Sequence, residues 1–220
     1  MDIDEVKVNL QHSDYGHRLK AIAALRNHSS EVALPLLIKH IQDPEFLVRS
    51  FVARELGHQR TADAFAGLLE IMRFDNTPNV RAEAANSLSL FGRASVAHLI
   101  QTFAQDKHWL VRRSILAALV EMDCPEELLE VCELAMADED SSVQESAIDM
   151  LGALANASQQ DRALSHLLIL KASESSRIRV RVAYALKHFD TPAAKAALAE
   201  LREDSDHAVV GAAMEPLLEP

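Results

Sequence analysis

The chain has 220 residues, 49% of them apolar, 25% charged and 5% aromatic, with six glycines and seven prolines. That composition excludes a collagen-like or low-complexity chain, and the shortage of aromatics argues against a β-sandwich. The net charge of −11 is concentrated between Glu121 and Glu174, where thirteen acidic residues stand against Arg162 and Lys171. A phosphate backbone would be repelled there, so a nucleic-acid role is disfavoured.

Cys124 and Cys132 form no CxxC pattern and suggest neither a disulfide framework nor a zinc site. The opening Met-Asp-Ile-Asp-Glu lacks an apolar core of the secretory kind. No apolar run approaches the roughly 20 residues of a membrane span. These features point to a soluble, cytoplasmic protein that does not insert into membranes.

Along the chain one pattern recurs. Anchors at Arg18, Arg49, Arg81, Arg112, Gln144, Arg179 and Val210 are each followed seven residues later by leucine: Leu25, Leu56, Leu88, Leu119, Leu151, Leu186 and Leu217. The anchor steps are 31, 32, 31, 32, 35 and 31 residues. A fixed period in this range marks a solenoid, whose repeats cannot bury their apolar faces alone. Apolar residues at anchor −1, +3 and +7, as in Val111, Ile115 and Leu119, share one face of a helix. An acid stands four to six residues before each anchor: Asp14, Asp43, Asp75, Asp106, Asp138, Glu174 and Asp204. There it precedes or opens the helix and can accept backbone N–H bonds.

Before each acid lies another amphipathic stretch, in order 31–41, 61–74, 94–104, 125–137, 159–172 and 192–202, with Pro125 and Pro192 placed as first-turn prolines. Two helices per repeat, with no strand signal, predict one continuous all-α domain over 1–220. It is a right-handed α-solenoid of about seven short helical hairpins.

No catalytic set emerges. The ten histidines include no pair four apart, so no helix turn presents two metal ligands. Cys124 stands at a predicted helix start but is surrounded by acids, which oppose a thiolate. Neither a phosphate-binding glycine loop nor a metal site is predicted. The aromatic residues are more informative. At anchor −3 the chain places Tyr15, Phe46 and Trp109, which would lie along one rim, as hairpin plugs or as contact anchors. Anchor +1, +4 and +5 positions predict the concave groove: Leu19, Ile22, Arg54, Asn86, Arg113, Leu116, Ile148, Asp149, Val180 and Tyr184. Arg177, Arg179 and Arg181 suggest a basic cluster beside the acidic sector.

An acid followed by Val-Arg and then leucine resembles the short HEAT-like repeat of the phycobilisome-lyase type. That resemblance implies a ladder joining neighbouring repeats through Arg49, Arg81 and Arg112 with Asp43, Asp75 and Asp106; Gln144 and Val210 depart from it. The whole chain resembles the phycobilisome-degradation HEAT proteins of cyanobacteria (NblB type). The match is carried by 13–19 (Ser-Asp-Tyr-Gly-His-Arg-Leu), 106–112 (Asp-Lys-His-Trp-Leu-Val-Arg) and 178–181 (Ile-Arg-Val-Arg). The Leu-Gly that ends second helices in that family survives only at Leu56-Gly57 and Leu151-Gly152. The resemblance implies binding to phycobiliproteins such as phycocyanin or allophycocyanin during antenna turnover. No cofactor is required, and a bilin such as phycocyanobilin is at most a transient ligand. Two alternatives are a lyase subunit acting on thioether-linked bilin and a general protein-interaction scaffold.

Overall fold

The computed structural model describes residues 1–215, so the seventh leucine, Leu217, lies outside the described residues. Among them are fourteen α-helices and no strand, arranged as seven hairpins. In chain order the first helix of each pair is α1 (Ile3–Asn9), α3 (Ser30–Lys39), α5 (Ala62–Phe74), α7 (Arg93–Gln105), α9 (Pro125–Met136), α11 (Gln160–Leu170) and α13 (Pro192–Leu201). The second helices are α2 (Tyr15–Ala24), α4 (Phe46–Gln59), α6 (Pro78–Ser89), α8 (Trp109–Val120), α10 (Ser141–Ala153), α12 (Ser176–Leu186) and α14 (His207–Met214). The α-solenoid expected from the period is therefore the fold.

The hairpins group into two compact units, Met1–Met122 and Asp123–Pro220. The first holds α1–α8 and carries fourteen Lys and Arg against fourteen Asp and Glu. The second begins before α9 and carries eight against nineteen, so the whole net charge of −11 resides there.

Within each unit the core is built by the repeat register. Leu25, Leu56, Leu88 and Leu119 in the first unit, and Leu151 and Leu186 in the second, are fully buried. Second helices stack on second helices through small residues. A β-carbon on Gly57 of α4 would come 2.9 Å from Ser87 Cβ of α6, and one on Gly152 of α10 would come 3.1 Å from Ala185 Cα of α12. Both contacts join anchor +8 of one repeat to +6 of the next. Where the glycine is replaced by Arg26, the same register carries an ion pair instead, to the buried Glu55 at 2.7 Å.

The arginine ladder joins four of the anchors to the acid of the following repeat. Arg18 binds Asp43, Arg49 binds Asp75, Arg81 binds Asp106 and Arg179 binds Asp204, each through Nε and Nη2 to both carboxylate oxygens. The third nitrogen turns back to its own repeat: Arg49 Nη1 donates to the Asp43 carbonyl, Arg81 to that of Asp75 and Arg112 to that of Asp106. Each acid also receives a backbone N–H two residues ahead, as Asp75 does from Thr77 and Asp106 from His108. One guanidinium thus closes two turns. Bidentate, mostly buried pairs of this kind fix geometry as well as adding energy. Gln144 keeps only the backward bond, to the Asp138 carbonyl, and the matching position in the next repeat is Ser173 rather than an acid. Both charges are lost together, so neither is left buried alone.

Two of the seven acids stand nearer their anchor than −6 and lie outside the ladder. Asp14 and Glu174 do not occupy the ladder position, which is held by His12 and Ser173. His12 Nδ1 accepts from the Asp14 N–H, and Ser173 Oγ from the Ser175 N–H. Asp14 is instead the cap of α2 and accepts from the Gly16 N–H.

Candidate binding surface

The rim is set by helix capping. Residue −4 is the N-cap position of every second helix, and at Asp14, Glu45, His108, Asp140 and Asp206, though not at Thr77 and Ser175, its side chain accepts a backbone N–H. Residue −3 is therefore always the first helical residue, where the side chain stands at the edge of the hairpin rather than inside it. Tyr15, Phe46 and Trp109 occupy that place in three repeats of the first unit, with Pro78 in the remaining one. Their rings are 45%, 39% and 40% exposed. Arg113, one turn further along α8, lies over the Trp109 ring with its guanidinium carbon 5.7 Å from the centroid, and the His108 ring stacks on the same indole. This is a wet cation–π arrangement with aromatic surface left over.

The face of the second helices differs from expectation at one position. Leu116, expected in the groove, is fully buried in the core, as are Ile22 and Ile148. Anchor +4 lies within about 60° of +7 around a helix, so it shares the buried stripe. Anchor +5 is the exposed one and carries Arg54, Asn86 and Tyr184. Arg54 does not stand open. It pairs with Glu83 at 2.8 Å and lies over the Phe51 ring. In the second unit Asp149, also at +5, faces Arg181 at 3.3 Å. The pairs use the same two repeat positions, +5 and +2, with the charges exchanged. Tyr184 lies under the Lys187 ammonium, 5.6 Å from its centroid.

The basic cluster expected around Arg177, Arg179 and Arg181 is divided among separate roles. Arg179 forms a ladder rung, Arg181 is held by Asp149 and Glu145, and Arg177 stands exposed. Both cysteines are buried and form no disulfide, and burial pushes the Cys132 thiol up to about 12, far from a nucleophile's range. The described residues hold no group of three or more His, Cys, Asp or Glu placed to bind a metal ion. No described helix is long and apolar enough to cross a membrane.

One exposed aromatic was missed. Phe74 closes α5 at anchor −7 and is 77% exposed, the largest value for any large apolar side chain described. The equivalent residues Gln11, Gln42 and Gln105 are glutamines. Within the first unit a phenylalanine thus replaces a glutamine kept by the other three repeats, which was the available signal; the second unit carries Ala137, Ala172 and Glu203 there.

Comparison with known proteins agrees with this architecture. The signature of the HEAT repeats matches residues 3–89, 65–152, 96–170 and 128–217. Deoxyhypusine hydroxylase-B of Oryza sativa subsp. japonica is 34% identical over 117 residues, 52% of this chain and only 38% of that protein. Among solved structures, the complex of CpcE and CpcF of phycocyanin lyase from Nostoc sp. PCC7120 superposes with a TM-score of 0.55 at 21% identity, covering 99% of this chain and 87% of the other. Kap95p, solved with RanGDP, gives 0.65 at 14% identity over 98% of this chain and 35% of its own. At such identities these two share the fold alone.

Proposed function

From the premise that the chain belongs to the HEAT-repeat family, we propose that it is a binding module for a phycobiliprotein in light-harvesting antenna turnover. In this reading the partner protein or its bilin is engaged at the Trp109 rim. The observation that carries the proposal is the half-exposed row of Tyr15, Phe46 and Trp109, with Arg113 stacked on the indole. A bilin offers a flat conjugated system and two propionates, which suit an aromatic face and an arginine respectively. The likeness in fold to a phycocyanin lyase complex lends further support. Hydroxylation of deoxyhypusine, named for the rice protein, is not adopted, because the match spans little more than a third of that protein.

The test is to mix purified protein with phycocyanin, with allophycocyanin and with free phycocyanobilin at about 10–50 µM, recording absorbance and co-elution. The reading expects a stable complex with at least one of the three, without transfer of pigment. Bilin released from or added to the phycobiliprotein, detected by fluorescence after denaturation, would favour the lyase alternative. No interaction with any of the three would leave a scaffold for a different partner.

A further inference from the structure

Away from the rim, α3 and α5 enclose a groove on their outer face. One cleft of about 420 Å³ is floored by Leu34, Ile38 and Ile41 of the α3 segment and Ala66 of α5. A second of about 420 Å³ leads from it to the exposed Phe74, and the two share Ile41 and Glu70. The two clefts adjoin at these residues, and together they make up the α3–α5 channel, from Leu34 to Phe74. Gly67 makes it possible, because a β-carbon there would come 2.9 Å from Ile38 Cδ1 and drive that side chain into the space.

The charge along the channel is one-sided. Asp63 and Glu70 stand seven residues apart on α5, so they lie on one face, two turns apart. Neither is tied to a cation among the described residues. Arg49, the one cation lining the channel, is held by Asp75. The remaining acids there are also engaged, Asp43 by Arg18 and Asp75 by Arg49. Two open carboxylates along an apolar floor ask for a ligand with an apolar stripe and cations at matching intervals.

We propose that the α3–α5 channel docks an amphipathic helix of a partner protein, its leucine-like stripe on Ile38, Ile41 and Ala66 and two basic residues facing Asp63 and Glu70. The geometry favours a helix over an extended strand. The walls are helices, whose backbone groups are already paired, so there is no sheet edge for strand addition, whereas a groove between two helices suits helix-in-groove recognition. From Asp63 to Phe74 the channel is eleven residues of α5 long, or about 16 Å, which matches three turns of a bound helix. Phe74 closes the far end and supplies the exposed ring that an apolar residue of the last turn would cover. The docking residues Ile38, Ile41, Asp63, Ala66 and Glu70 are none of the rim residues, and the proposal stands or falls independently of the pigment reading.

The probe is a labelled helical peptide of about fourteen residues, with leucines at i, i+3 and i+7 and lysines seven apart, followed by fluorescence anisotropy. Binding is expected below about 100 µM, weakening as salt is raised. The Asp63→Lys/Glu70→Lys variant should lose about tenfold or more, because the field at the rim of the channel is inverted. Ala66→Arg, at an exposed helical site, should abolish binding with the melting temperature unchanged. A peptide with glutamates in place of the lysines should bind at least about tenfold more weakly. The proposal is overturned if wild-type protein ignores the lysine peptide, if the glutamate peptide binds equally well, or if a proline-broken peptide of the same composition binds as tightly as the helix.

Discussion

At the scale of single residues, the ladder arginines and the six described +7 leucines hold the repeats that carry them. Leu88 and Leu119 have no exposed surface, so replacing either by alanine should cost on the order of 2–5 kcal/mol in thermal or urea unfolding. Costs under about 0.5 kcal/mol at both would remove them from the core. Arg81→Ala leaves the nearly buried Asp106 carboxylate without its guanidinium, and a loss of about 3 kcal/mol or more is expected. Arg60 makes a useful control. It ends α4 in the left-handed region, at φ 51°, so Arg60→Gly should stabilise by about 0.5–1 kcal/mol, and Arg60→Ala should cost much less than Arg81→Ala. Asp204 adds a pH dependence. The bond from Arg179, then the Asp206 N–H, hold its carboxyl below the usual range. A group with a depressed folded pKa stabilises above its unfolded value, near 3.9, and that contribution is lost as pH falls through the folded value. Melts below about pH 4 should therefore show a shallower acid loss in Arg179→Ala than in wild type. Parallel curves would remove this rung from the acid response.

At the scale of elements, the tight contact is between second helices. Gly152→Ala would put a β-carbon 3.1 Å from the Ala185 backbone, so α10 and α12 must separate, at a cost of about 1–3 kcal/mol. Gly211→Ala meets nothing nearby in α14 and should stabilise by a few tenths to about 1 kcal/mol. Equal effects at the two sites, read by urea unfolding, would deny the close approach. Much at this scale was legible in the sequence. The expected first helices agree with α3, α5, α7, α9, α11 and α13 to within about two residues, because the 3.6-residue period and the capping residues act locally. Choosing between the arginine's own acid and that of the next repeat was beyond local reasoning, since both spacings recur with the same regularity. Assigning +4 to the groove failed at Leu116 because the apolar stripe is wider than the −1, +3, +7 pattern drawn for it. Phe74 was not legible from the repeat, because anchor −7 holds glutamine, alanine or glutamate elsewhere and keeps no residue type along the chain.

At the scale of the whole molecule, the net charge and four of the five exposed aromatic residues described fall in different units, with Tyr184 in the acidic one. The first unit is neutral and carries Tyr15, Phe46, Phe74 and Trp109; the second carries the full −11. Duplex DNA should not be retained more tightly than about 1 µM at physiological salt, and a mobility shift below that would overturn the electrostatic argument. The period, the hairpin count and the HEAT-repeat character were visible in the chain, because the repeats restate them. The partner is not legible from the repeat, since the aromatic row at anchor −3 is interrupted by Pro78 and not continued by Ser141, Ser176 and His207. The most direct measurement of the proposed function pairs phycocyanin binding with thermal unfolding in Trp109→Ala. The account predicts binding weakened by about 2 kcal/mol or more with helical content and melting temperature retained. A lowered melting temperature with binding intact would make Trp109 a plug of its own hairpin and contradict the rim as the contact.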